Sequence, residues 1–229
     1  MLATSNSPVV TVPLAPQAEQ RSTTSRPVDL IVIHCSATPS GKPLTQGKPG
    51  AADFKRAVNI IDDWHKARGF ARQPQAVKAF NSSLPHIGYH FVIDLSGEVW
   101  SGRGRGEVGA HAANFNARSI GICLVGGVEP RGAQYTAAQF KSLREVVAML
   151  LADYNLKHTA PKRAANTANP SGYTVIGGVC GHRDLSPDKN GNGLVEPFEY
   201  LKTCPGFDVA AWLKNGMQPT AEQICEATK

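Results

Sequence analysis

The apolar positions of the chain fall into short unbroken runs and longer periodic ones. "VDLIVIHC", residues 28–35, is apolar without alternation, which predicts a strand covered on both faces. "DFKRAVNIIDDWHKARG" sets Phe54, Val58, Ile61 and Trp64 at helical spacing, with Asp53 as cap and Gly69 as stop. "IGYHFVIDLSGEVWSGR" predicts two strands joined at Ser96-Gly97, and "SIGICLVGG" another buried strand ended by paired glycines. In "TAAQFKSLREVVAMLLADY" the helical signals coincide. Thr136 and Gln139 can form a capping box, and Phe140, Leu143, Val147, Leu150 and Tyr154 share one face. "KHTAPKRAANTANPSG" reads as a polar linker, "YTVIGGVCGH" as a last strand, and "FDVAAWLKNG" as a final helix capped by Asp208.

Strands alternating with helices predict a single α/β domain, with helices layered on a central sheet. We place it at residues 28–215. Residues 1–27, rich in Ser, Thr, Pro and Gln, read as a flexible arm, and 216–229 as a tail too short for a second domain. No apolar run approaches the roughly 18 residues of a membrane span. The first residues lack the charged start and continuous apolar centre of a secretory signal, so synthesis in the cytoplasm is expected.

Composition changes this picture little. The net charge of +6 favours an anionic partner such as a polyanion or an acidic envelope surface. The densest basic cluster, "SGRGRG", has no aromatic interleaving, so nucleic acid is not expected. Five cysteines without regular spacing (Cys35, Cys123, Cys180, Cys204, Cys225) fit reduced thiols with one metal ligand better than a disulfide framework.

The candidate chemistry lies at strand ends. His34 closes the first strand, and His182 follows the last one. Cys204 comes 22 residues after His182, just before Pro205. Two imidazoles and a thiolate suit zinc, leaving the fourth tetrahedral position for water. The competing readings are a core histidine at His34 and a rival thiol in Cys180, two residues from His182. Cys35 should face away from His34 and is read as core. Between the ligands, within an insert at 186–200, "DKNGNGLVEPFE" fits a calcium-loop pattern. Its oxygen ligands would be Asp188, Asn190, Asn192, the Leu194 carbonyl and Glu199, with Glu196 acting through water and an exit helix through "PFEYLK". The same loop reads equally well as Asn-Gly surface turns.

Four blocks in order, "IVIHCSAT", "IGYHFVI", "GAHAANFNARSIGICLVGG" and "GHRDLSPD…LKTCPGFD", resemble the type-2 N-acetylmuramoyl-L-alanine amidases. That family includes phage amidase endolysins and peptidoglycan recognition proteins. The resemblance runs from about Val28 to Leu213. It implies a mixed central sheet and zinc-dependent hydrolysis of the amide between N-acetylmuramic acid and L-alanine in peptidoglycan. Zinc ligands would be His34, His182 and Cys204, and Tyr89 and Lys202 would be catalytic. Tyr89 would orient water or relay a proton, and Lys202 would stabilise an oxyanion. His111 and Asn116 are expected to contact substrate. His65, His86, His90 and His158 are given no catalytic role. The expected protein is a monomeric, phage-type lytic enzyme acting on the cell wall, with a structural calcium ion if the insert binds one. The rivals are a peptidoglycan-binding module without catalysis and a metal-independent Cys/His hydrolase.

Overall fold

The computed structural model describes residues 26–128, 134–165 and 173–228, so most of the arm expected at 1–27 lies outside them. In chain order the first elements are β1 (Leu30–Cys35), β2 (Thr38–Pro39), α1 (Ala57–Ala67), α2 (Pro74–Ala79), β3 (Phe91–Ile93), β4 (Val99–Ser101) and β5 (Ser119–Leu124). Then follow β6 (Gly127–Val128), α3 (Ala137–Asp153), β7 (Lys162–Ala165), β8 (Tyr173–Ile176), β9 (Gly178–Gly181) and α4 (Val209–Lys214).

The central sheet has the order β4-β3-β5-β1-β9 and is mixed, as expected. β1 runs parallel to both β5 and β9, β3 parallel to β5, and only β4 is antiparallel to its neighbour. Alternation along β1 sorts its side chains between the faces. Ile31 and Ile33 enter the core beneath α3 and α4, with Phe140, Leu143, Val147 and Trp212. Leu30 and Val32 pack on the other face with Cys180. His34 has their parity, so it opens on that second face, where α1 contributes Val58 and Ile61 to a separate cluster. α3 starts as predicted: the Thr136 hydroxyl accepts from Gln139 N, and the Gln139 side chain accepts from Thr136 N, each at 3.0 Å. Asp208 caps α4 through Ala211 N at 2.9 Å.

Several expectations are corrected. Asp53 does not cap α1, because the chain is still extended at Lys55, which bridges Gln46. The helix begins at Ala57, with Asn59 Oδ1 accepting from Arg56 N at 3.3 Å. Phe54 therefore precedes the helix, and Trp64 is 37% exposed rather than in the core. The supposed linker contains β7, which pairs antiparallel with β8, while residues 166–172 lie outside the described set. "YTVIGGVCGH" is thus two strands in different sheets, separated at Gly177. The exit helix through "PFEYLK" is a single 3-10 turn at Pro197–Glu199.

Two features hold the periphery. Arg72 is buried and donates to the carbonyls of Ala76, Phe80, Asn81 and Leu84 and to both carboxylate oxygens of Glu107. Arg103 and Arg105 of the "SGRGRG" cluster are buried too, Arg103 donating to the carbonyls of Ile87 and Val108 and Arg105 pairing with Asp153. The tail folds back on the domain: Tyr135 N donates to Gln223 O at 2.9 Å, Cys225 N to Tyr135 O at 3.0 Å, and Thr228 N to Gly41 O at 2.7 Å.

Candidate metal centre

Three separate segments deliver the predicted ligands to one point. His34 is 1% exposed at the end of β1. His182 opens a 3-10 turn directly after β9, where Asp184 Oδ2 accepts from Gly181 N at 2.8 Å. Cys204 arrives from the far end of the insert and is held by three contacts. Its carbonyl accepts from Arg183 N at 2.9 Å, its Sγ from Cys35 N at 3.0 Å, and the next carbonyl, of Pro205, from Tyr135 OH at 2.5 Å. One ligand atom from each of His34, His182 and Cys204 lies within 4.8 Å of the other two, and no other such group occurs among the described residues. In a tetrahedral zinc site the donors stand roughly 3.3–3.6 Å apart, so the set needs only small rotations to close on an ion. Cys180 is excluded, being fully buried against Leu30 and Val32.

The electrostatics suit a cation. Burial, and then the neighbouring His182 and His65, hold the His34 imidazole well below its ordinary value. Burial and the Lys202 ammonium lower His182. Both rings are therefore neutral at pH 7, as imidazole ligands of a metal would be. Cys35 faces away from His34 into the core beneath α3, yet its thiol meets that of Cys204. The contact between the two thiols pulls Cys35 down to about 7 and pushes Cys204 up. The Cys35 amide donates to the sulfur of Cys204, a contact that favours negative charge on that sulfur.

The three ligands line a cleft of about 470 Å³ whose wall includes Trp64, Arg68 and Phe70 from the end of α1 and the turn beyond it. Sequence reasoning gave these three no role at the site, although an aromatic and a cation flanking the buried-facing His65 was a usable signal. Tyr89 and Lys202 both reach the cleft. The Tyr89 ring lies 5.1 Å from that of His34, and burial raises its phenol well above its ordinary value, so the hydroxyl keeps its proton at neutral pH. Lys202 is exposed at the rim. His111 and Asn116 also line the cleft, but both have partners inside the protein. His111 Nδ1 is 3.0 Å from His34 Nε2, and Asn116 Oδ1 accepts from the amides of His111 and Ala112 at 2.9 and 2.8 Å. His65 Nδ1 accepts from Gly88 N at 2.8 Å, and its ring stands 5.2 Å from Tyr89.

The calcium expectation gains no support from the insert. Asp188 Oδ1 and Oδ2 accept from Gly191 N and Gly193 N at 2.8 and 2.7 Å. Glu199 Oε1 accepts from Lys189 N and Asn190 N, and Oε2 from Glu196 N. Asn190 and Asn192 accept from the amides two residues on, the Asx turns of the alternative reading. Leu194 is 65% exposed. Backbone N–H groups thus hold these side chains in the loop's own turns, and Asp188, Glu196 and Glu199 do not form a metal-holding group.

The Amidase_2 family, described as N-acetylmuramoyl-L-alanine amidase, matches residues 24–207. The chain belongs to this family. The amidase-family chain is 30% identical over 210 residues to the endolysin of Escherichia phage T7, covering 90% of this chain and 97% of that one. It is 43% identical over 122 residues to an uncharacterized protein of Haemophilus influenzae, covering 52% of this chain and 88% of that one. The solved N-acetylmuramoyl-L-alanine amidase LysC from Clostridium intestinale shares its fold, with a TM-score of 0.50 at 22% identity over 84% of this chain and 85% of that one. Among the described residues no helix is long and apolar enough to cross a membrane.

Proposed function

We propose that this amidase-family protein is a zinc-dependent hydrolase that cleaves the amide between N-acetylmuramic acid and L-alanine in peptidoglycan, acting on the bacterial wall as a phage-type lytic enzyme. The observation that carries the reading is the meeting of His34, His182 and Cys204, from three distant segments, at the floor of an open cleft. Two neutral imidazoles and a thiolate would hold zinc and leave a coordination position facing the cleft. A bound zinc ion supplies Lewis acidity toward water and the scissile carbonyl. The rest of the chemistry belongs to the chain. Lys202 places an ammonium where negative charge grows on the carbonyl oxygen. Tyr89, held as a phenol in the cleft wall beside the Cys123 thiol, would turn its hydroxyl toward the attacking water and orient it. Trp64 and Phe70 give the sugar and peptide an apolar wall to lie against.

Digestion of purified sacculi with metal-free and zinc-restored protein tests this. Peptides with new L-alanine amino termini, identified by mass spectrometry only in the zinc-restored digest, are expected. Cleavage that ignores zinc removal but stops on alkylation identifies a thiol hydrolase instead. Retention on sacculi with no new termini identifies a binding module.

A further inference from the structure

His34 Nε2 stands 3.0 Å from His111 Nδ1, and exactly one of the two nitrogens must carry the proton between them. The atoms beyond His111 decide which. His111 Nε2 lies 3.4 Å from Ser119 Oγ, and that hydroxyl lies 2.8 Å from the Phe115 carbonyl oxygen. A carbonyl can only accept, so the Ser119 proton points to Phe115 and its lone pairs face His111. A proton on His111 Nε2 gives that 3.4 Å contact the donor it otherwise lacks. A neutral imidazole has one N–H, so His111 Nδ1 is bare and accepts from His34 Nε2.

We propose that the hydrogen-bond chain His34, His111, Ser119, Phe115 fixes the tautomer of His34, with the proton on Nε2, and leaves the Nδ1 lone pair as the atom offered to the metal. His111 and Ser119 are positioning residues: they act through His34 and not on the ion itself. The inference rests on the reading of His34 as a zinc ligand.

The His111 ring is held in a slot shaped for it. A Cβ at Gly109 would come within 2.5 Å of His111 Cδ2, and one at Gly121 within 2.6 Å of the same ring. Such approaches leave room for hydrogen alone. Asn116 fixes the backbone on the third side through the amides of His111 and Ala112. A ring turned over would set carbon atoms against both His34 and Ser119. The neighbouring His90 does not compete, because its Nδ1 accepts from Gly121 N at 3.0 Å and its Nε2 donates to Glu107 O at 2.9 Å. It meets His111 only edge to face, at 5.7 Å. A metal ligand that donates its second N–H to such a partner is fixed in both orientation and tautomer, and loss of the partner costs roughly 10- to 100-fold in metal affinity.

Two measurements test the proposal. Long-range 15N–1H correlation spectra of metal-free protein should show Nε2 protonated and Nδ1 bare in both His34 and His111. Zinc affinity, measured by chelator competition, should fall roughly 10- to 100-fold in His111→Leu but only a few-fold in His111→Asn, which keeps an acceptor near the position of Nδ1. Ser119→Ala should give an intermediate loss, because His111 is then free to exchange tautomers. A proton on His34 Nδ1, or equal zinc affinity in the Leu and Asn variants, overturns the proposal. Should His111→Leu fail to fold, the wild-type spectrum still decides. Wild-type protein that shows the expected tautomers yet binds no zinc refutes the metal-site reading and leaves the hydrogen-bond chain standing.

Discussion

At the scale of single residues, Tyr89 and Lys202 differ in what surrounds them, and their variants should differ accordingly. Lys202 is exposed at the rim, so Lys202→Met is expected to lower turnover roughly 100-fold with no change in melting temperature. Tyr89 is packed between His34 and His65, so Tyr89→Phe should retain zinc and fold while losing roughly 100-fold in turnover. Equal activity in either variant, assayed on sacculi, would remove that residue from the chemistry. The buried histidines set an acid limit. Burial pulls His65 down to about 4, with Arg68 and Arg103 adding to it. Burial pulls His90 down to about 3, partly opposed by its bond to Glu107 O and reinforced by Arg26, Arg103 and Arg72. The unfolded chain takes up these protons near pH 6.5, before the folded one does. The stability from their neutral burial is therefore complete above about pH 6.5 and is lost as pH falls toward 4 and then 3, at about 1.4 kcal/mol per pH unit for a fully buried ring. Urea midpoints of metal-free protein at pH 7.5, 6 and 5 should decline in that order. His34 and His182 were legible in the sequence because strand ends announce themselves in apolar runs. The contact between His34 and His111 was not, since it depends on where a loop 77 residues away comes to rest.

Among the elements, α3 could be read completely because its cap, capping box and apolar face all lie within one stretch of chain. α1 was misjudged at its start because the pairing of Gln46 with Lys55, invisible to helical periodicity, keeps the chain extended past Asp53. The β7–β8 pair was missed for a similar reason: a polar segment becomes a strand only when its partner is present. The segment between α1 and β3 is held by the buried Arg72 as well as by the burial of Leu84 and Ile87. Arg72→Met strips the Glu107 carboxylate of its bonds to Arg72, leaving it Arg103, and takes the side-chain donor from the Phe80 and Leu84 carbonyls, and should cost about 3–5 kcal/mol in denaturant unfolding. The insert is organised the opposite way, with a carboxylate receiving amides. The amides of Glu196, Lys189 and Asn190 hold Glu199 below its usual carboxylate range. Glu199→Ala is expected to open the 188–199 loop to proteolysis while α3 and the sheet stay protected. An unchanged digestion pattern would show that the loop is held by other contacts.

For the molecule as a whole, strand direction decides where chemistry can occur. β1 and β9 are parallel neighbours, so His34 and the residue following β9 emerge on the same edge of the sheet. Crevices at the carboxyl ends of parallel strands commonly hold ligands. The α/β class was plain from the alternation of patterns. The strand order was not, because it depends on pairings across some 150 residues, such as Ile31 with Val179. A metal held by these three remote segments would also tie the fold together. At a free zinc concentration 100 times the dissociation constant, the folded state should gain about 2.7 kcal/mol, seen as a higher melting temperature that a chelator reverses. Arg72, Arg103 and Arg105 are buried and paired with Glu107 and Asp153, so they add little to the basic surface.

The end of the chain has a practical bearing on handling the protein. Gln223 and Cys225 grip the backbone of Tyr135, whose hydroxyl in turn grips the residue after Cys204. A cut after residue 217, or a bulky fusion attached directly to the carboxyl end, should therefore act at a distance and slacken the sulfur donor without touching it. Purification handles belong at the other terminus, and a shortened form with weak metal retention would be reporting a lost anchor rather than a damaged catalytic group.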